Sequence, residues 1–158
     1  MSPATKSASL AYGNAVTIPF AFEDAVKRTR EALQKEGFGV LCEIDIAKTL
    51  KEKIDVDSRP YTILGACNPQ LAHRALTAEK DLGLLLPCNV VVSSEATGTR
   101  IATIDAAAMM RMVGNAELEP IAAEVNERLA RVLQRVAESP EAALNDVQQQ
   151  STGLQVIP

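Results

Sequence analysis

Two short segments of the sequence combine cysteine, asparagine and proline in a way that could support chemistry. The first is Cys67-Asn68-Pro69, and the second is Pro87-Cys88-Asn89, which follows the apolar run Gly83 to Leu86. Cys67 lies at the start of a predicted helix, whose positive dipole end lowers the pKa of a thiol and favours the reactive thiolate. The pair therefore indicates thiol or redox chemistry, with Cys67 as the attacking residue and Cys88 as the resolving one.

The only histidine of the chain adds a possible metal ligand. His73 lies six residues after Cys67 in the same predicted helix, and with Cys67 and Cys88 it could complete a thiolate–imidazole site. The spacing matches no established zinc pattern such as paired C-x-x-C, so we assign neither a metal nor another cofactor. The alternative role of His73 is that of a surface residue near the helix cap.

Structural roles are the first alternative for the other candidates as well. Free cysteine is among the most often buried residue types, so Cys67 and Cys88 could simply pack in the core. Cys42 alternates with Val40 and Ile44 and is predicted to be a core residue. Asn68 is a good helix N-cap, and a contact with a ligand would be its second role.

Other catalytic patterns are missing from the sequence. It contains no G-x-G-x-x-G or G-K-[ST] loop, Ser93-Ser94 lacks the G-x-S-x-G frame, and one histidine would have to serve any triad. Glu43 and Asp45 share a predicted strand face and could bind a cation, but we expect a solvated face there.

The composition excludes several classes of protein. The 158 residues, with 47% hydrophobic and 23% charged residues, predict one globular domain with a sizeable core. A net charge of −4 and an aromatic content of 3% argue against nucleic acid or an anionic membrane as a partner. Three widely spaced cysteines and a start without a secretory signal predict a cytoplasmic protein with reduced thiols.

The periodicity of the sequence predicts an α+β fold. The expected organisation is a flexible arm over 1–10, a single domain over 11–138 and a tail over 139–158. Two long helices are predicted over 20–36 and from about 119 to 138, and a short inserted helix over 69–79. Strands are predicted over 12–18, 39–46, 61–67, 88–93 and 100–104. This order, strand, helix, four strands, helix, predicts a two-layer sandwich with a largely antiparallel sheet.

The two layers leave one face of the predicted sheet uncovered. The long helices should cover the other face through their apolar stripes, which include Phe22, Val125 and Leu129. The uncovered face is expected to carry both polar and apolar residues: Glu43, Asp45, Thr62, Leu64, Val91 and Thr103. Such a half-apolar face is a candidate homodimer surface.

The motifs also resemble a known family. The runs Tyr61 to Pro69 and Gly83 to Val90, taken with Phe22 to Val40 and Ala72 to Leu76, resemble the bacterial and archaeal domain-of-unknown-function family 302. The resemblance covers about 15–137 and implies a fold related in shape to half of the TATA-binding protein, with a tendency to dimerise. It implies no activity. The family signature corresponds to Cys67, Asn68, Pro69, Pro87, Cys88 and Asn89.

Three functional hypotheses remain open at this point. The first is a dimeric, non-enzymatic module that binds a small molecule, an anion or a metal near the two motifs. The second is a thiol-dependent enzyme or redox sensor, and the third is a scaffold in which the motifs only pack. For the first two we expect a small polar pocket at the start of the inserted helix, formed by Cys67, Asn68, His73, Cys88 and Asn89.

Overall fold

Six alternating segments of the chain pair into one antiparallel sheet. The computed structural model describes residues 5–138, so the predicted tail and the first four residues of the predicted arm lie outside the described residues. The strand order across the sheet is β1-β2-β6-β5-β4-β3. The strands are β1 (Lys6–Leu10), β2 (Gly13–Ile18), β3 (Gly39–Asp45), β4 (Tyr61–Cys67), β5 (Cys88–Glu95) and β6 (Gly98–Ile104).

Helices connect the strands at three points, and two further helices follow β6. The α-helices are α1 (Phe22–Lys35), α2 (Ile46–Ile54), α3 (Pro69–Ala78), α4 (Ala106–Arg111) and α5 (Glu119–Ala137). Two short 3₁₀ segments, Lys80–Leu85 and Ala116–Leu118, precede β5 and α5. None of the helices described between residues 5 and 138 is long and apolar enough to cross a lipid bilayer.

The two long helices α1 and α5 supply the main apolar cover of the sheet. The buried residues of α1 include Ala25, Ala32 and Leu33, which recur at helical spacing. On α5 the buried stripe contains Ile121, Val125, Leu129, Val132 and Val136. Both stripes belong to one core cluster with the buried residues of the central strands, among them Leu64, Val92 and Ile101. The predicted α+β class and the two-layer arrangement are therefore confirmed.

The first strand was not expected from the sequence. Lys6–Leu10 lies within the segment predicted as an arm, yet it pairs with β2 along its length, from Lys6 opposite Thr17 to Leu10 opposite Gly13. Its residues are small or exposed, and this edge strand buries no large apolar side chain. The segment therefore carries no hydrophobic alternation by which sequence reasoning could have recognised it.

Strand β3 differs from the prediction in the direction of its side chains. A β-bulge between Val40 and Cys42 inserts Leu41 into the pairing with β4. One inserted residue moves every following side chain to the other face of a sheet. Cys42 is consequently exposed, so its predicted place in the core is wrong.

The same shift brings the acidic residues of β3 to the helix side. Glu43 pairs with Leu64 and Asp45 with Thr62, and both of these partners are buried in the core. The carboxylate of Glu43 forms an ion pair with Arg30 of α1. Glu43 and Asp45 therefore lie on the helix side of the sheet, at its edge, where both remain exposed to solvent as predicted.

In the part of the chain that the structure describes, the uncovered face is built from other residues than predicted. Of the six residues expected there, Val91 is the one that the strand register places on it, because Thr62, Leu64 and Thr103 are at most 4% exposed on the helix side. The register aligns one small or apolar residue from each strand into a row: Ala8, Ala15, Ala102, Val91, Ile63 and Ile44. This row, which we call the open-face row, makes the centre of the uncovered face more apolar than the sequence indicated.

Candidate functional site

Asn68 starts helix α3 as predicted. Its backbone is extended, and its side-chain Oδ1 accepts a hydrogen bond of 3.2 Å from the Leu71 backbone N–H. Pro69 occupies the first helical position, where its missing N–H leaves no unpaired donor. The Asn-Pro pair therefore fixes the point at which the chain turns from β4 into α3.

The two motif cysteines meet beside this helix start. Cys67 is the last residue of β4 and is half-buried, whereas Cys88 opens β5 opposite Ala66 and is 7% exposed. Burial, and to a smaller extent the electrostatic interaction with the Cys67 thiol, raise the pKa of the Cys88 thiol to about 11. Cys88 is therefore a neutral thiol at physiological pH.

Cys67, Asn68 and Cys88 line one cavity of about 340 Å³. Its walls come from the end of β4, from α3, from the segment before β5 and from α5. The apolar residues that line it include Phe38, Leu71, Leu76, Leu86, Met110 and Val125. The volume lies at the lower end of the range that small-molecule sites occupy, about 300–1,000 Å³.

The chemistry of this cavity differs from the polar pocket that we predicted. Among the described residues that line it, Asn68 is the only one with a side-chain amide or charge, and its Oδ1 is already bound to the backbone. The neutral thiol of Cys88 behaves as a small apolar group. The helix start is therefore covered by apolar side chains instead of opening into a polar site.

Two of the predicted site residues lie away from the cavity. His73 is exposed on α3 and is not among the residues that line the cavity. Asn89 is exposed opposite Gly65, because successive strand residues point to opposite faces of a sheet. Of the five residues predicted to form the pocket, the structure therefore brings Cys67, Asn68 and Cys88 together, whereas Asn89 contributes to the uncovered face.

Packing on the uncovered face explains the glycine and the proline of the two motif segments. A Cβ on Gly65 would lie 2.5 Å from Cys42 Sγ and 2.9 Å from Pro87 Cγ. Only a residue without a side chain fits at this point of β4, because contacts below about 3 Å are strongly repulsive. Gly65 thus lets Cys42 and Pro87 pack closely against β4 at this point.

A charged network joins the helices next to Asn68. Glu124 of α5 accepts hydrogen bonds of 3.1 Å from Arg74 of α3 and 3.1 Å from Arg128 of α5. The Arg128 hydrogen bond is the largest effect that lowers the pKa of Glu124, so its carboxyl is ionised at neutral pH. Arg128 also donates to the Glu36 carbonyl oxygen at the end of α1. This network ties α1, α3 and α5 together.

The carboxylate of Glu36 forms a second set of contacts with arginine side chains. It is buried, and its two carboxylate oxygens accept hydrogen bonds of 2.8 Å from Arg131 and 3.0 Å from Arg135. Burial alone would raise the pKa of Glu36, but the hydrogen bonds and charges of the two arginines outweigh it and lower that pKa. The contact is thus a paired, ionised bridge between the helices, without a free acid for catalysis.

Metal-binding side chains do not converge in the part of the chain that the structure describes. Over residues 5–138 no group of three or more His, Cys, Asp and Glu residues is placed to hold an ion. At the cavity the potential ligands are the two thiols, whereas zinc sites usually use about three or four protein ligands.

Comparison with known proteins connects this architecture to a family. The family model described as "Domain of unknown function DUF302" matches residues 14–136, which include both cysteine motifs. The chain belongs to the DUF302 family. A solved structure with the same fold is the crystal structure of an uncharacterized conserved DUF302 protein from Bacillus stearothermophilus, with 35% identity and a TM-score of 0.74. The match covers 78% of this chain and 97% of that one, and no curated protein matches the chain.

The relationship confirms the family resemblance that the motifs indicated. A 97% cover of the solved relative means that the DUF302 fold accounts for nearly all of that protein. The family description assigns no activity, so a function for this DUF302 domain has to be argued from its own site.

Proposed function

We propose that this DUF302 domain is a non-enzymatic binding module whose ligand is a small, largely apolar molecule. The observation that carries the proposal is the cavity of about 340 Å³ that Cys67, Asn68 and Cys88 share with apolar side chains. When a ligand buries apolar surface in such a cavity, its binding gains roughly 25 cal/mol of free energy per Å² of buried area.

The same lining weighs against the other two ligands that the sequence left open. An anion inside the cavity would lose its water without gaining enough donors, because Asn68 supplies one amide and Cys88 is a neutral thiol. A metal ion would find two thiols and no imidazole, since His73 is exposed elsewhere on α3. A neutral apolar body fits the surface better than either charged species.

The binding proposal predicts that filling the cavity weakens a fluorescent apolar probe. Ala72 is half-buried and lines the cavity, so Ala72→Leu places a larger side chain in the space that the probe needs. We expect the affinity for N-phenyl-1-naphthylamine, measured by fluorescence titration, to fall about tenfold, which corresponds to about 1.4 kcal/mol.

The matched control makes the same substitution on another surface. Ala130→Leu lies on α5, is exposed and does not line this cavity, so probe affinity should stay within about twofold of the wild type. Equal loss in both variants, or no saturable binding to the wild type, would contradict the proposal.

A thiol-dependent enzyme or redox sensor is the second candidate function. It is favoured by one observation, that Cys67 and Cys88 line the same cavity and lie close enough for their charges to interact. The raised pKa of Cys88 weighs against it, because a resolving thiol attacks as the thiolate. For either function we propose a reducing, cytoplasmic environment, because three widely spaced cysteines are too few for a disulfide-stabilised secreted scaffold.

We also propose that the domain forms a homodimer through the open-face row. Six strands spaced about 4.8 Å apart make this face about 24 Å wide, and strands of this length make it about 20 Å long. The face therefore has roughly 500 Å² of flat area, and its side chains enlarge that area. A stable interface buries about 800 Å² on each partner, so the face approaches the size that a dimer needs. The small, half-buried residues Ala8 and Ala102 let a second copy come close to the sheet.

A charge placed in the centre of the row should prevent this association. Val91 is half-buried and central in the row, so Val91→Lys would bring two like charges together across a two-fold interface. We expect sedimentation at about tens of micromolar to show a dimer for the wild type and a weakening of about tenfold or more for the variant.

The control substitution is Thr77→Lys on the exposed surface of α3, which should leave the dimer intact. A monomeric wild type, or a Val91→Lys protein that still dimerises with the wild-type affinity, would overturn the dimer.

A further inference from the structure

We propose that strand β1 is a docking edge for an extended peptide of a partner protein. The peptide adds a strand to the sheet and places apolar, uncharged side chains in a groove between β1 and α5. The proposal comes from one coincidence: the two β1 residues with outward backbone groups, Ser7 and Ser9, also line this groove. The inference concerns neither the cysteine cavity nor the open-face row, so it goes beyond the proposed function.

The register of β1 leaves the backbone groups of two residues facing outwards. A two-residue turn joins β1 to β2, so Leu10 and Gly13 form a hydrogen-bonded pair. Hydrogen-bonded and non-hydrogen-bonded pairs alternate along an antiparallel ladder. The N–H and C=O groups of Ser7 and Ser9 therefore point away from β2, on a side where the sheet has no further strand among residues 5–138.

The other edge of the sheet is protected against strand addition, whereas β1 is not. Strand β3 carries the bulge at Leu41 and the charged side chains of Glu43 and Asp45, and such features keep a further strand away. Strand β1 pairs with β2 in an unbroken register, contains no proline and has one charged residue, Lys6 at its start. The free edge of β1 thus keeps the regular geometry that an added strand needs.

A groove of about 590 Å³, which we call the edge groove, lies on the helix side of this edge. Strands β1 and β2 form its floor and α5 forms its wall. The residues that line it include Ser7, Ser9, Val16, Leu129, Ala130 and Leu133. Among the described residues that line it, none carries a charge. A charged side chain entering the groove would lose water without gaining an ionic partner, so the groove favours uncharged side chains.

Strand addition would direct alternate side chains of the peptide into the edge groove. Ser7 and Ser9 line the groove, and residues that lie directly opposite each other in a ladder have side chains on the same face. The peptide residues opposite these two serines are therefore the ones that enter the groove. Main-chain hydrogen bonds supply affinity for any sequence, whereas the groove selects apolar residues at alternate positions.

A second copy of the chain fits this edge less well than such a peptide. In an antiparallel pair of two β1 strands centred on Ala8, serine would face serine at both positions. Serine side chains fill little of a space of about 590 Å³, so the edge groove would stay largely empty. Larger apolar side chains at the same positions fill it, so the edge suits a peptide of a different sequence.

The test uses a heptapeptide, Lys-Val-Thr-Val-Lys-Val-Thr, with fluorescein at its N-terminus and an amide at its C-terminus. Its valines occupy alternate positions. We expect saturable binding to the full chain, measured by fluorescence anisotropy, with a dissociation constant below about 100 μM. Glutamate in place of the central valine should weaken binding by about tenfold or more, because its charge would enter the groove. Glutamate in place of the preceding threonine points to the other face and should stay within about threefold.

Two variants of the chain locate the binding site. Ser9→Pro removes an outward N–H group and keeps the hydrogen bonds to β2, so peptide binding should fall about tenfold or more. Ala130→Leu narrows the edge groove from α5 without touching the strand, and should weaken the peptide about fivefold. The matched control is Ala123→Leu, which is exposed on the same helix outside the groove and should stay within about twofold.

The outcomes decide between the occupants of this edge. If the full chain does not bind the peptide, or the two glutamate peptides lose affinity equally, the inference is overturned. Binding that neither Ser9→Pro nor Ala130→Leu weakens takes place elsewhere and also overturns it. If Ser9→Pro abolishes a dimer in sedimentation, a second copy occupies the edge and the peptide assignment is wrong. The naphthylamine probe of the cysteine cavity should bind Ser9→Pro as it binds the wild type, so failure here leaves the proposed function standing.

Discussion

Replacing Leu129 with alanine should lower the free energy of unfolding by roughly 2–5 kcal/mol. Leu129 is 1% exposed on α5 and belongs to the core cluster that joins the helix to the sheet. Removing its branched side chain deletes buried apolar contacts and leaves a cavity that the close-packed surroundings only partly refill. Urea unfolding, followed by circular dichroism, measures the loss.

The chain offers the same chemical change at an exposed site as a control. Leu84 is 88% exposed in the segment before β5, so Leu84→Ala should alter stability by no more than about 0.5 kcal/mol. A similar loss for both variants, or a loss below about 1 kcal/mol for Leu129→Ala, would mean that α5 does not close the core as described.

The helical layer was predictable because its signals are local. The stripe of α5 repeats at helical spacing from Ile121 to Val136, and Pro120 near its start marks where the helix begins. The cap at Asn68 could likewise be predicted from the Asn-Pro pair, and the structure shows the expected hydrogen bond to Leu71. Each of these features depends on residues that are neighbours in the sequence.

The direction of β3 depends instead on a partner that is distant in the sequence. The alternation of Val40, Cys42 and Ile44 predicted one buried face, but the inserted Leu41 divides it. A bulge is defined by the pairing of two strands, so the residues of β3 alone do not predict it. The bulge alone explains why the predicted faces of Cys42 and of the acidic residues of this strand were wrong.

The candidate site could be predicted in part for similar reasons. Cys67 and Cys88 meet because β4 pairs with β5, whereas the sequence predicted a shared pocket from the similarity of the two motifs. The apolar walls from Phe38, Met110 and Val125 come from elements remote in the sequence, so the sequence could not show that the pocket would be apolar. The opposite orientation of Asn89 and Cys88 could have been predicted from the sequence, since neighbouring residues of a strand point to opposite faces of the sheet.

Alkylation of the native protein should leave Cys88 unmodified while Cys42 and Cys67 react. A pKa of about 11 leaves about one Cys88 thiol in ten thousand ionised at pH 7, against about 3% for an ordinary cysteine of pKa about 8.5. The thiolate population of Cys88 is thus about 300-fold smaller, and burial slows its reaction further. A time course of iodoacetamide labelling, analysed by peptide mass spectrometry, gives the alkylation rate of each of the three cysteines.

Serine substitutions determine what each thiol of the cavity contributes to stability. Cys88→Ser buries a hydroxyl among apolar side chains and should cost about 1–3 kcal/mol, because that hydroxyl loses its water without a partner. Cys67→Ser makes the same change at a half-buried position and should cost less than about 1 kcal/mol. If native Cys88 instead reacts as fast as Cys42 and tolerates serine without loss, it is an accessible thiol, and the redox function replaces the binding module as the better account of this cavity.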